Sequence, residues 1–395
     1  MDCGSIVQRI FNGRRFVEKR LKRPIAFVRN VFTSYAFQEM LLSSDYHPDN
    51  TYCYSVDKYS KTGLFENLQI LSNCLPNVIL NPTKYYFNSW GHLQNQAQFR
   101  CLELIMNRTW SHALFLQNND LVLKPADQLS DLSELLNYTS AMFFEDPHEG
   151  WYSEKKADWT PAALKLFKNE AKVPEDILHR PLRIWKGYNE VIVSRIFIES
   201  ILDKLNLEGI MKMFGVDEML VQTLYRNNLG LDAQPTSSCH NFVPDTFIRW
   251  TDWTNRWSSG TFYEACRSKF ERHWICVMGV EYLRDFIMNN SFVIGNKLLF
   301  TFLLIQKIIC SQIILIYGTL NVSDVLSTTS VSDKESSFIN WAAYNPSRWK
   351  GSLQEIQLAI SIWDASSVDV FDDITNEDLI YGFICGVPLG NWDFN

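Results

Sequence analysis

Three groups of side chains in this chain are of types that do chemistry. Asp57 ends an apolar, β-prone run, and Asp120 ends the polar cluster Gln117-Asn-Asn-Asp120 that follows another. In an open parallel sheet ligands gather where strands end and loops begin, and a carboxylate there accepts hydrogen bonds from hydroxyl groups. Asp217 and Glu218 stand side by side at the head of a segment with apolar residues at Met219, Leu220 and Leu224. The pair reads as an N-cap (Asp217) and a first-turn acid (Glu218) of a helix, the latter favoured by the macrodipole. Arg272 and Lys297 form a late couple of cations that, by itself, reads as solvated surface charge.

Much else is excluded. The chain has no Walker loop, no G-x-G-x-x-G, no G-x-S-x-G and no H-E-x-x-H, which removes the commonest nucleotide, hydrolase and metalloprotease readings. Its nine cysteines include no C-x-x-C pair and none in a His-rich spacing, so no structural metal site is expected. With 37 basic against 44 acidic side chains and a net charge of −7, nothing in the bulk field favours nucleic acid. Sequons at Asn107, Asn137, Asn289 and Asn321 lean towards a secretory route.

The elements that must position these groups follow from the 395 residues, 46% of them hydrophobic, a composition that folds around a sizeable core. Short β-rich runs at 24–29, 51–57, 77–80 and 113–117 alternate with helical stretches at 34–42, 63–71 and 94–106, the rhythm of a βαβ sheet. A long loop is expected over 144–156, regular structure from 164 to 167, a β-rich run at 191–195 leading into a helix through Ile201 and Leu205, and a helix opened by Gly215-Val-Asp-Glu218. The arginines and lysines between Arg9 and Arg23 suggest a solvated basic leader over 1–23, or the flank of a membrane anchor. The apolar stretch 298–318 is about long enough to span a bilayer, but Lys307 sits near its middle; a buried helix or a non-native tail is the alternative.

Several short stretches occur in the order seen in one known family. These are Pro24-Ile-Ala-Phe27, Tyr52-Cys-Tyr-Ser-Val-Asp57, Ser72-Asn-Cys-Leu-Pro-Asn-Val78, Leu116-Gln-Asn-Asn-Asp-Leu121, Lys186-Gly187, Val193-Ser-Arg195, Gly215-Val-Asp-Glu218, Arg272-His-Trp-Ile-Cys276 with Gly279, and Asn296-Lys297. The series resembles the core-2/I-branching β-1,6-N-acetylglucosaminyltransferase family, in its divergent nematode-type branch. The match runs over about residues 24–298, between the leader 1–23 and an extension 299–395 without resemblance to the family.

The resemblance implies an α/β fold of the GT-A-like sugar-nucleotide-binding type, with a mostly parallel central sheet flanked by helices. It implies an inverting transfer of N-acetylglucosamine from UDP-N-acetylglucosamine to a glycan hydroxyl, forming a β-1,6 branch, with no metal and no other cofactor. The chain contains no D-x-D, the motif on which other enzymes of that fold hold a divalent ion. On the family pattern Glu218 is the base, kept ionised by its place near a helix N-terminus. Arg272 and Lys297 offset the charge of the departing diphosphate, and Asp57 contacts uridine and ribose. Asp120 is the second strand-end acid, a donor contact or a residue that fixes its loop. Cys53 with Cys101 and Cys266 with Cys276 fall at the family's disulfides; Cys74 resembles another paired position, with Cys3 its upstream candidate.

The acceptor side departs from the family pattern. Glu145 and Trp250 are its candidate residues, and Trp253 and Trp257 extend a three- and four-residue spacing that could line a sugar cleft or bury one face of a helix. Expected partners are a sugar nucleotide and a glycan or glycoprotein, with no nucleic acid. Membrane association and a catalytic domain in the Golgi lumen are expected of the full-length protein. A UDP-xylose-using enzyme resembling protein xylosyltransferases, and a carbohydrate-binding paralogue without turnover, are the alternative readings.

Overall fold

The computed structural model describes residues 2–11, 20–88, 91–146, 158–212, 216–234, 247–253, 266–268, 270–273, 275–279, 282 and 292–298, with short strands at 340–341, 358–360 and 370–373. It divides into two compact units, Met1–Thr251 with Asn290–Asn296, and Asp252–Asn289 with Lys297–Asn395.

The first unit is built on a sheet of β1 (Ile25–Val31), β2 (Thr51–Val56), β3 (Val78–Leu80), β4 (His112–Leu116) and β6 (Ile192–Ser194). Their order is β3-β2-β1-β4-β6; the first four are parallel and β6 runs antiparallel to β4. The strands are buried on both faces, so successive residues feed two different cores. Ala26, Val28, Cys53, Ala113, Phe115 and Val193 face one core, shared with α4 (Gln94–Ile105), α7 (Arg195–Lys204) and α8 (Leu220–Arg226). Ile25, Phe27, Tyr52, Tyr54, Leu114, Leu116 and Ile192 face the other, shared with α1 (Cys3–Phe11), α2 (Tyr35–Asp45), α3 (Leu64–Cys74) and α5 (Ala126–Leu136). This is the expected mixed α/β sheet with helices on both sides.

Disulfides tie the layers together. Cys53–Cys101 joins β2 to α4, and Cys3–Cys74 joins α1 to the end of α3. The expected leader over 1–23 is thus corrected in its first part. Ile6 and Ile10, four residues apart, are buried, and Arg9 pairs with Glu39 at 2.6 Å. The density of cations over 1–23 hid an amphipathic turn pattern. Helix α5 is not among the expected elements, although Leu129, Leu132 and Leu136 stand at helical spacing and pack into the second core; the stretch 164–167 is the end of a turn followed by an isolated bridge from Phe167 to Leu205. Most of the expected loop 144–156 and nearly all of the apolar stretch 298–318 lie outside the described residues. Among the described residues no helix is long and apolar enough to cross a membrane.

A small second sheet completes the first unit, with β5 (Leu121–Val122), β10 (Ile294–Gly295) and β7 (Arg249–Trp250) in the order β5-β10-β7. It brings 249–251 and 294–296 beside the loop after β4. In the second unit β8 (Glu271–Arg272) and β9 (Ile275–Cys276) form a hairpin closed by Cys266–Cys276. Farther along that unit β11 (Asn340–Trp341), β12 (Leu358–Ile360) and β13 (Val370–Asp373) form a sheet in the order β11-β13-β12.

Candidate active site

Strand order reverses between β1 and β4, the position at which open α/β sheets bind nucleotides. There Asn118, just beyond β4, ties the two loops: its Oδ1 accepts the N–H groups of Phe32 (2.8 Å) and Thr33 (3.0 Å) after β1. Arg29, buried within β1, donates Nη1 to the carbonyls of Gln117 (3.0 Å) and Asp120 (2.8 Å). Asp57 follows β2; its Oδ1 accepts the Tyr59 N–H at 2.6 Å and its Oδ2 the Phe87 N–H at 2.8 Å. One carboxylate therefore orders the loops after β2 and β3.

Asp120 is wholly buried. Its Oδ2 accepts the Gln117 N–H at 2.6 Å and its Oδ1 accepts Asn296 Nδ2 at 2.5 Å. Asn296 Oδ1 in turn accepts Arg249 Nη2 at 2.7 Å, and Arg249 Nη1 pairs with Glu190 Oε2 at 2.6 Å. Burial, and then the charge of Glu190, push the Asp120 carboxyl up to about 8, against its hydrogen bonds and Arg249. Glu190 and Arg249 have no role in the sequence reading, and Asn296 enters only within a family motif. The one available signal was a charged residue set against or within a β-prone run, as in Glu190-Val-Ile-Val193.

Glu218 lies in a 3-10 turn, Val216–Glu218, ahead of α8. Two expectations are corrected here. Asp217 is not the N-cap: that position falls to Met219, and no side chain caps the helix. Glu218 is not depressed by a helix dipole either. Its carboxyl is pushed above the usual range, first by burial, with Lys186 and Arg249 opposing and Glu190 and Glu145 reinforcing. The acid sits two residues ahead of the regular helix, where desolvation outweighs the dipole.

The turn is held from two sides. Gly187 N–H donates to the Glu218 carbonyl at 2.8 Å, and a Cβ on Gly187 would lie 2.2 Å from the Phe143 carbonyl oxygen, so only glycine fits. Gly91, at φ +79°, packs so tightly on Asp217 that an added Cβ would fall 1.6 Å from Oδ1. The half-buried Asp217 carboxyl is pushed up to about 7 by desolvation and by the neighbouring Glu218. A relay of amides connects the turn to α4: Asn189 Nδ2 donates to the Asp217 carbonyl (3.4 Å), Gln98 Nε2 to Asn189 Oδ1 (2.8 Å) and Asn95 Nδ2 to Gln98 Oε1 (3.0 Å).

In front of this support stands Lys186. Its Nζ lies 2.9 Å from Glu145 Oε1 and 3.8 Å from Glu218 Oε2. The first unit therefore holds Asp57, Asp120, Glu145, Glu218 and Trp250, and brings Glu145 and Glu218 together around one ammonium group. Trp250 is in strand β7 and Trp253 is half-exposed and bridged to Ile275, so the Trp spacing does not mark a helix at this point; Trp257 lies outside the described residues. The second unit holds Arg272 and Lys297. Arg272 is exposed in β8, next to His273 at φ 55° in the hairpin turn. Lys297 accepts the Met278 N–H at its carbonyl, 2.7 Å away. Both cations lower the affinity of His273 for a proton, after burial.

A GT-A-like domain is what this sheet defines: a mostly parallel core, helices on each face, and loops gathered where the strand order turns round. A sequence model of the core-2/I-branching enzyme family matches residues 25–286; the chain belongs to that family, and its catalytic class is that of the glycosyltransferases.

Proposed function

We propose that the chain is an inverting transferase of the family's nematode-type branch, which moves N-acetylglucosamine from UDP-N-acetylglucosamine to a glycan hydroxyl in the Golgi lumen and forms a β-1,6 branch. Glu218 takes the proton from the attacking hydroxyl. The acceptor oxygen bonds to the anomeric carbon from the face opposite UDP, the bond to the diphosphate oxygen breaks, and UDP leaves with its electron pair. Arg272 and Lys297 supply the charge that a metal supplies in D-x-D enzymes, and no metal enters the reaction. Asp57 contacts the nucleoside, Asp120 fixes the loop after β4, and Trp250 belongs to the acceptor side.

The observation that carries this reading is the setting of Glu218. The acid is half-buried, braced through its backbone by Gly187, and pushed above its ordinary range towards the neutral pH at which a general base works best. The test is transfer from UDP-N-acetylglucosamine to a set of glycans in EDTA, with product linkage read by NMR. Undiminished UDP release with a β-linked product at a 6-hydroxyl is the expected result. Activity that disappears with chelator, or an α-linked product, overturns the mechanism.

A further inference from the structure

Lys186 has no role in the reading above, yet its position is fixed by its backbone. Its backbone forms a two-way bridge with Glu145: Glu145 N–H donates to the Lys186 carbonyl at 2.8 Å, and Lys186 N–H to the Glu145 carbonyl at 3.0 Å. The next residue, Gly187, is bonded to the Glu218 carbonyl. After it, Tyr188 stacks on Phe143 at 4.8 Å, and its carbonyl accepts Gln222 Nε2 from α8 at 2.6 Å. The ammonium group, mostly buried, is thus delivered between two carboxylates by constraints on its own backbone and on the two residues that follow.

The two contacts differ in kind. Glu145 makes a direct charge-assisted hydrogen bond at 2.9 Å, whereas Glu218, at 3.8 Å, feels the charge without a short bond. A base held in a short bond to lysine would lose basicity and a free lone pair. A base with no cation nearby, among Glu145, Glu190 and Asp217, would hold its proton too tightly.

We propose that Lys186 is the positioning residue that keeps Glu218 ionised and oriented, and that Glu145 is the standing counterion that keeps Lys186 in place when Glu218 is protonated. The inference rests on the reading of Glu218 as the base. It gives Glu145 a part in the proton economy of the site, where the sequence placed it with the acceptor. No atom of Lys186 enters the bond changes: the proton passes from the acceptor hydroxyl to Glu218, and the cation stays with Glu145 throughout.

The groups that face Glu218 are Lys186, Arg249, Glu190, Glu145 and Asp217. Removing the nearest cation leaves the acids in excess, so the Glu218 midpoint must rise. In full-length protein with 13C-labelled glutamate carboxyls, the Glu218 signal is identified by its loss in Glu218→Gln. Lys186→Met is then expected to raise its midpoint by about one pH unit, as loss of an opposite charge within 4–6 Å does. The acid limb of kcat/KM moves the same way, with donor and acceptor KM within about twofold, and Lys186→Arg reverses both effects. Should Lys186→Met fold poorly because Glu145 is stranded, the Lys186→Met/Glu145→Gln double variant is expected to show a smaller rise of the same sign.

An unmoved Glu218 midpoint overturns the proposal. So does a tenfold rise in acceptor KM with the acid limb in place, which would make Lys186 an acceptor contact. The carboxyl titration reads Lys186 without turnover, and the activity of Glu218→Gln reads the base without Lys186. Failure of one is therefore distinguishable from failure of the other.

Discussion

Around Arg249 and around Lys186 the first unit gathers acids about a single cation, and the two clusters are built to opposite ends. Arg249 is buried with Glu190 and Asp120; one Glu190 oxygen, both Asp120 oxygens and the guanidinium engage partners within 2.7 Å, through Asn296, Thr251 and the Gln117 backbone. Lys186 is held by backbone bonds beside two half-buried acids, and keeps only one of them in a short contact. A closed cluster fixes loops: it ties the strand-end loop of β4 to β7 and β10. An open one leaves a carboxylate with capacity to accept a proton. The same residue types serve structure or chemistry according to how many of their lone pairs the fold has already taken.

Breaking the closed cluster has the largest expected effect on stability. Arg249→Met strands buried Glu190 and is expected to cost about 3–5 kcal/mol, as removal of one partner of a buried pair does; urea unfolding followed by circular dichroism measures it. If the loss is below about 1 kcal/mol, the cluster is not the latch described. Next comes the staple of α1, far from either cluster. Cys3→Ser with Cys74→Ser opens a loop of 71 residues and is expected to cost about 2–4 kcal/mol in the same assay, with kcat unchanged.

The last effect is a slope with pH rather than a single loss. Asp120 carries a raised carboxyl, near 8, so between about 4 and 8 the folded chain holds a proton that the unfolded chain has released. The associated stability is complete at low pH and declines as pH rises through 8, by at most about 1.4 kcal/mol per pH unit. Asp45 and Asp217, raised to about 7 by burial, act in the same direction. Asp120→Asn is expected to lower Tm overall and to flatten its fall between pH 5 and 8; an unchanged slope would show that Asp120 is ionised throughout.

Local pattern revealed much of the frame. The strands at 25–31, 51–56, 78–80 and 112–116 are dense runs of apolar residues, and α4 has its apolar stripe, so each is visible from neighbours in sequence. The pairing of Cys53 with Cys101, and of Cys266 with Cys276, came from family likeness and is present in the structure. What spacing could not carry was made over long separations. Asn296 reaches Asp120 across 176 positions and Arg249 reaches Glu190 across 59, and neither pair leaves a periodic trace. The sign of the Glu218 shift was hidden for a related reason. A run of acid and apolar residues announces a helix start, but only the packed fold shows that the acid falls in a preceding 3-10 turn where burial outweighs the dipole.

The most direct measurement compares Glu218→Gln with the wild type for turnover, UDP affinity and Tm together. The account predicts that kcat falls by about a hundredfold or more, as loss of a general base does, while UDP binds as before and Tm moves by no more than a couple of degrees. Turnover within threefold of wild type, in a variant that folds and binds UDP, would contradict it.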